Sequence, residues 1–414
     1  MSTSKFQFNM TSTKPGISFK SETEADGMSL KNFRKIYFED NITSLYPYGD
    51  VYYIDQLGII SDKIFFVEGM EFNIKLGYEE DSKKKGGWLE HNYVWVEGQL
   101  NNVELADNVA GDQIFILFSK HIFTDRVQSR SFNYEDAKKT TITDALKTVY
   151  MPFFSIPKEK WFISDTADFP YFNQYNETNG VFLQKLAQVA YSKNDPLAPF
   201  FTFINCNGEF YFMHMADLMR QQPVKEFMIG ISETAQFDDK YIKEYNTFHH
   251  GMTLNKRNYI NSFFTFENNE LAIENRTIHE ATDYISKDER EKLLVLKDYL
   301  KGDPTNNIYL GISHQQDSKE YFRGLKNSVY TDTNLSYRMT LMTQFDVKCI
   351  AGKTITIQVE SQMKNKEIAV EYSGTWLIIK SKHLIDQDGV PYSKLTIAKP
   401  KIAIDSDHPF KKDF

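Results

Sequence analysis

Two adjacent histidines, His249-His250 before Gly251, are the residues of this chain that most resemble a metal-ligand pair or a general base. Neighbours on an extended segment point to opposite faces, and no i, i+4 partner stands nearby, so they read as surface or packing residues. His383, on a strand after Trp376, has no nucleophile or second ligand at an identifying spacing and reads as a polar residue at a strand end. Paired carboxylates could hydrolyse glycosides if two converged within about 5–10 Å. Glu79-Glu80-Asp81 and Asp288-Glu289 instead read as solvated turn and first-turn charges. Cys206 and Cys349 lie far apart without metal-ligand spacing and read as reduced, buried thiols.

Phosphate chemistry is not written into the chain either. There is no G-x-x-x-x-G-K, and no G-x-G-x-x-G follows a strand. Lys83-Lys84-Lys85-Gly86-Gly87, beside acidic 79–81, reads as a hairpin tip of balanced charge. Phe200-Phe201-Thr202-Phe203 reads as core or subunit interface, because no basic groove accompanies it. With 48 Lys and Arg against 56 Asp and Glu, the net charge of -8 supplies no field to attract duplex nucleic acid. These patterns identify no catalytic residue, no cofactor-binding residue and no metal ligand.

The elements that would position any site are mostly strands. Met70 to Leu76 alternates apolar and polar residues strictly, the mark of a half-buried antiparallel strand. Similar runs stand at 64–67, 93–96 and 114–118, punctuated by glycines, and together they predict a small barrel or sandwich. After residue 135 the period becomes helical: Ile142, Ala145, Leu146 and Val149 share one face, with Thr141 and Asp144 as a capping box. A second helix is expected from Val181 to Ser192 on Leu183, Leu186, Ala187 and Ala190. Asn207-Gly208 then predicts a type I′ hairpin pairing 200–206 with 209–215. A third helix opens at Ser286 and Glu289 and stops at Gly302, and 303–332 reads as polar and loop-rich. Leu335, Met339 and Met342 mark a short helix, followed by strands at 354–359, 368–370, 376–379 and 393–397, with turns at Ser373-Gly374 and Asp388-Gly389. A second small barrel accounts for these.

Size and composition agree with several packed units. The 414 residues give about 2.8 domains at roughly 150 residues each. An aromatic content of 15% excludes a disordered chain. No apolar leader opens the chain, and no stretch approaches the length needed to cross a membrane as a helix, so synthesis in a cytoplasm without membrane insertion is expected.

Four segments resemble the baseplate hub proteins of contractile-tailed bacteriophages, the T-even hub family, which is related to the spike-base proteins of type VI secretion. They are Asp55-Gln56-Leu57-Gly58 with 67–74; Arg130-Ser131-Phe132 leading into 142–146; 181–189 with the Asn207-Gly208 hairpin and Met213 to Met219; and Ser336 to Asp346 with Gly374 to Ile385. The resemblance implies an α+β, mainly β fold, with two small antiparallel β-barrel domains of similar kind and an interleaved α+β domain. In those terms 1–29 is an N-terminal arm outside the core and 30–135 the first barrel. The middle domain takes 136–240 plus about 280–332, the second barrel about 241–279 plus 333–400, and 401–414 is a C-terminal tail.

The resemblance further implies a structural virion protein of a contractile injection system. As a homotrimer with pseudo-six-fold symmetry it would adapt a three-fold central spike to a six-fold tail tube, within the channel for DNA ejection. Its neighbours would be the central spike protein and the tail tube or tube-initiator protein, with tape measure and baseplate wedge proteins beyond. It would sit in the virion tail baseplate, with the spike a separate chain, because few residues follow Pro400. The competing readings are the hub module of a tail-associated protein from a flexible-tailed phage, and a cell-wall- or carbohydrate-degrading baseplate enzyme.

Overall fold

A computed structural model of the chain describes residues 6–12, 18–20, 33–55, 69–78, 87–105, 108–121, 125–132, 141–167, 172–190, 192, 199–229, 242, 244–249, 260–267, 278–280, 306–312, 335, 337–359, 372–386 and 391–399. The fold is mainly β with few helices. Its first strands are β1 (Phe6–Ser12), β2 (Ser18–Lys20), β3 (Phe33–Asn41), β4 (Tyr48–Asp55), β5 (Glu71–Tyr78), β6 (Trp88–Leu105), β7 (Asn108–Ser119) and β8 (Val127–Phe132). There follow α1 (Ile142–Ala145), a π turn (Leu146–Tyr150), α2 (Met151–Phe154), β9 (Trp161–Ile163), β10 (Phe172–Thr178), α3 (Asn179–Val189), β11 (Phe200–Ile204), β12 (Phe210–His214), α4 (Met215–Met219) and β13 (Glu226–Ile229). The remaining strands are β14 (Glu244–His249), β15 (Ile260–Glu267), β16 (Ile278–Glu280), β17 (Asn306–Ile312), β18 (Tyr337–Gln344), β19 (Thr354–Val359), β20 (Gly374–Asp386) and β21 (Pro391–Lys399).

Thirteen strands form one sheet, in the order β14-β18-β21-β20-β3-β4-β7-β6-β5-β1-β2, with β19 on β20 and β13 on β19. The N-terminal and C-terminal strand sets meet at β3 and β20, which pair antiparallel from Lys35↔Asp386 to Asn41↔Lys380. The alternation read at 70–76 appears in β5, whose buried positions include Phe72, Ile74 and Leu76. Thr141 and Asp144 make the expected capping box, each side chain bonding the other's backbone N–H. The four apolar residues expected on one face of the second helix, Leu183, Leu186, Ala187 and Ala190, are all buried.

Four expectations are corrected. Residues 6–12 are not an arm outside the core: β1 pairs with β5 along its length, and Phe8 and Met10 are buried. The cause is legible in Phe6-Gln7-Phe8-Asn9-Met10, a period of two that Ser and Thr on either side obscure. Leu335, Met339 and Met342 do not mark a helix, because β18 takes 337–344 with Tyr337, Met339 and Leu341 buried on one face. An even spacing of four fits both periods, and pairing with β14 on one side and β21 on the other decides for the strand. Within 303–332, Asn306–Ile312 is a strand parallel to β15.

The fourth correction concerns the hairpin. Its register runs Phe200↔His214 to Ile204↔Phe210, one residue from that expected. Gly208 alone of the loop residues takes a positive φ, +67°. Its N–H donates to the Asn205 carbonyl at 2.9 Å, and the Asn205 N–H to the Glu209 carbonyl at 3.1 Å. This is a three-residue loop closed by a left-handed glycine, not a two-residue type I′ turn.

Several expected features lie outside the described residues: the strands at 64–67 and 368–370, the helix from Ser286 to Gly302, the tip at 79–86, the Asp388-Gly389 turn, His250 and the tail 401–414.

The middle hairpin is wedged between the two strand sets. Phe162, Tyr211 and Phe203 stack across β9, β12 and β11 with centroids 4.7 and 4.6 Å apart. Gly352, at φ +86°, brings the loop before β19 against this stack, and a Cβ there would sit 2.5 Å from Phe203 Cζ. Gly352→Ala is expected to cost about 1–3 kcal/mol in urea unfolding through strain and overlap together. Gly374→Ala, at φ +109° with nothing within 4 Å of a Cβ, should cost less, because it carries the strain alone.

Candidate functional site

The period of two along β3 and β20 sorts their side chains at the junction of the two strand sets. Ile36, Phe38 and Asp40 of β3 point inward, as do Ser381 and His383 of β20, and all five are buried. The Asp40 carboxylate accepts from Ser381 Oγ at 2.5 Å, from the Cys206 N–H at 2.7 Å and from the Ala351 N–H at 3.1 Å. These donors stand 341, 166 and 311 residues away in sequence, so one side chain binds the N-terminal sheet to the middle hairpin and to the C-terminal loop. Burial holds the Asp40 carboxyl above its ordinary range, and the hydrogen bonds from Ser381, Cys206 and Ala351 only partly counter it.

His383 continues the network. Its Nδ1 lies 2.8 Å from Ser393 Oγ on β21, and its Nε2 lies 3.4 Å from Ser381 Oγ. The expectation of a polar residue at a strand end is corrected: His383 is in the interior of β20, opposite Phe38 on one side and Ser393 on the other. Burial lowers its pKa to about 4, so the imidazole is neutral near pH 7. Asp, Ser and His are the residue types of a nucleophilic triad, but the order is wrong for that chemistry. The serine hydroxyl donates to the carboxylate at 2.5 Å and leaves the imidazole no proton to take, and no member of the network reaches solvent. What this network can do is join three chain segments.

A histidine pair seats the hairpin tip. His91 on β6 holds Ser119 Oγ at 2.8 Å, and its ring lies 5.6 Å from that of His121. A Cβ on Gly208 would fall 2.6 Å from His91 Nδ1, so only a glycine fits the tip against the first strand set. Burial lowers the His91 pKa, helped by His121 and two nearby lysines. Burial likewise brings His121 to about 4, with Lys120 contributing.

On the opposite face of the same strands the residues are charged and aromatic. Glu39 receives Lys380 at 2.6 Å and Lys382 at 3.9 Å. Lys382 lies 3.8 Å from the Tyr37 ring centroid, and Lys35 stands 5.5 and 5.9 Å from those of Tyr37 and Tyr52. The Tyr37 hydroxyl donates to Asp50. Burial pushes the Tyr48 hydroxyl up to about 12, with Glu39 and Asp50 adding to the shift.

Among the residues singled out in the sequence, Cys206 and Cys349 are free and buried, Cys206 within the joint itself. Phe200, Phe201 and Phe203 are buried. His249 closes β14 opposite Tyr337. Among the described residues, no three His, Cys, Asp or Glu side chains gather as a metal site would need. Asp40, Ser381 and Ser393 were not foreseen. Their signal was a polar residue in the inward phase of an alternating strand, as in Ile36-Tyr37-Phe38-Glu39-Asp40 and Lys380-Ser381-Lys382-His383.

By sequence, the chain matches no protein-family model and no curated protein. By structure, it is similar to the 43 kDa tail protein of prophage MuSo2 from Shewanella oneidensis, with a TM-score of 0.52 and 11% identity over 96% of this chain and 100% of that one. It is also similar to the tail protein from Neisseria meningitidis MC58, with a TM-score of 0.52 and 7% identity over 95% of this chain and 96% of that one. At these identities the likeness shows a shared fold, and it spans nearly the whole of each chain.

Proposed function

We propose that the chain is a structural hub of a phage-type tail baseplate. Three copies close a ring in which two small β-barrels per subunit present pseudo-six-fold symmetry, so that a three-fold central spike meets a six-fold tail tube around the channel for DNA ejection. The observation that carries this reading is the fold shared with a prophage tail protein and a second tail protein over almost the full length of the chain. The continuous sheet supports it: pairing β3 with β20 leaves neither strand set an open edge at their junction, which a ring subunit under load requires. In this reading β3 to β8, with β1 and β2 added at the edge, belong to the first barrel, β14 to β16 and β18 to β21 to the second, and 136–240 with about 280–332 to the interleaved domain. The partners are a second and third copy, the central spike protein and the tail tube or tube-initiator protein, with no catalytic step assigned to the chain.

The test is electron microscopy of the assembled particle, together with light scattering of the purified chain. The expected result is three copies between tube and spike, and a species of about three times 48.3 kDa once assembly is triggered. Density for this chain away from the tail axis would overturn the reading, as would turnover of peptidoglycan by the purified chain.

A further inference from the structure

The β11–β12 hairpin carries a second cluster that the buried joint does not use. Asn205 is fully buried, and its side-chain Oδ1 accepts from the backbone N–H of Asn207 at 3.1 Å and of Glu209 at 3.0 Å. Its Nδ2 donates to Glu209 Oε2 at 2.8 Å. The same oxygen lies 3.0 Å from Lys353 Nζ and accepts from the Tyr211 hydroxyl at 2.7 Å. The lysine is caged by aromatic rings, its Nζ 4.7 Å from the Phe162 centroid and 5.4 Å from that of Tyr211. The side chains of Lys353 and Glu209 are only 18% and 14% exposed, so little water competes for the amide.

An amine, an amide and a carboxylate thus meet at one oxygen. Each has the chemistry for a different part of one reaction. The two backbone donors on Oδ1 polarise the Asn205 carbonyl as an oxyanion hole does. Lys353 is a nucleophile once it loses a proton, and Glu209 touches both the nitrogen that must lose a proton and the nitrogen that must gain one. We propose that Lys353 and Asn205 condense to an intramolecular isopeptide bond, joining the middle hairpin covalently to the loop before β19.

The step balances without an oxidant or cofactor. Glu209 takes a proton from the lysine ammonium, and the freed lone pair on Nζ forms the bond to Asn205 Cγ, with charge gathering on Oδ1 under its two N–H donors. As the tetrahedral centre collapses, Nδ2 receives the proton back from Glu209 and the Cγ–Nδ2 bond breaks. Ammonia leaves, carrying the surplus proton of Nζ as ammonium. Burial pushes the Glu209 carboxyl up, but the Lys353 ammonium and the donors Tyr211 and Asn205 outweigh it and hold the carboxyl below its ordinary range. The carboxyl therefore rests ionised and holds the abstracted proton only weakly, so the bond forms slowly, once per chain, faster at alkaline pH.

Intact-mass measurement of the denatured full-length chain tests this, after incubation at neutral and at mildly alkaline pH. The expected chain is lighter than its formula by one ammonia, and its digest contains a branched peptide linking the Asn205 and Lys353 segments. Lys353→Arg keeps a cation on Glu209 and over both rings and should retain the full formula mass. Glu209→Gln should form the bond roughly a hundredfold more slowly. A wild-type chain of full formula mass, with native circular dichroism after long alkaline incubation, overturns the proposal. So does an ammonia loss that maps to a succinimide at Asn207-Gly208 with no branched peptide.

Discussion

Asp40→Ala is expected to lower the unfolding free energy by about 3–6 kcal/mol, a large part of the roughly 5–15 kcal/mol that holds a domain together. The substitution removes little apolar volume, so cavity formation is a small contributor. Its effect comes from leaving the Cys206 N–H, the Ala351 N–H and the Ser381 hydroxyl buried with their acceptor gone, at about 1–2 kcal/mol each. Asp40→Asn keeps one oxygen acceptor and relieves the buried charge, so its expected cost is smaller, about 1–2 kcal/mol. Urea titrations of the three proteins at neutral pH provide the check. Equal costs for Ala and Asn would show that water replaces the carboxylate and that the joint is not what binds the segments.

The second large effect is acid sensitivity. His383 and His121 each fall from the ordinary 6.5 to about 4 in the folded chain, in both cases first through burial. An imidazole depressed in this way takes its proton first in the unfolded chain. Stability is therefore full above about pH 6.5 and falls as pH drops toward 4, by about 1.4 kcal/mol per pH unit for each histidine and about 3 kcal/mol each over the window. Asp40, raised by burial, runs the opposite way: it takes its proton first in the folded chain and offsets part of the loss as pH falls. The expected observation is a steep drop in the urea midpoint between pH 6.5 and 4.5. His383→Gln should flatten that slope by about one proton, whatever its own baseline stability. An unchanged slope in this variant would mean that His383 charges in the folded state without penalty.

How far the sequence discloses this molecule depends on the range of the interaction that decides each element. The strand at β5, the capping box at Thr141 and the buried face of α3 follow from neighbours a few residues apart, and each could be read directly. Where two periods fit the same residues, as at Leu335 and Met339, the outcome is set by β14 and β21, which sequence spacing does not bring near. The hairpin shows a finer version of the same limit. Asn207-Gly208 correctly marks a turn, yet the loop closes on Gly208 alone, because its tip must pack against His91. The joint was the least legible part. An aspartate in Phe38-Glu39-Asp40-Asn41 looks like a surface charge until three donors from distant segments surround it.

The pairing of β3 with β20 also governs when this protein can finish folding. Asp40 must wait for Ser381, 341 residues later, and at about 5–20 residues per second that interval is about 17–70 s of synthesis. Throughout it the edge of β3 that will face β20 has no strand beside it, and the inward carboxylate lacks its hydroxyl donor. Closure of so distant a contact is slow even for a complete chain. The nascent chain is therefore at its most aggregation-prone through that interval, and the arrival of β20 beside β3 is what ends the exposure.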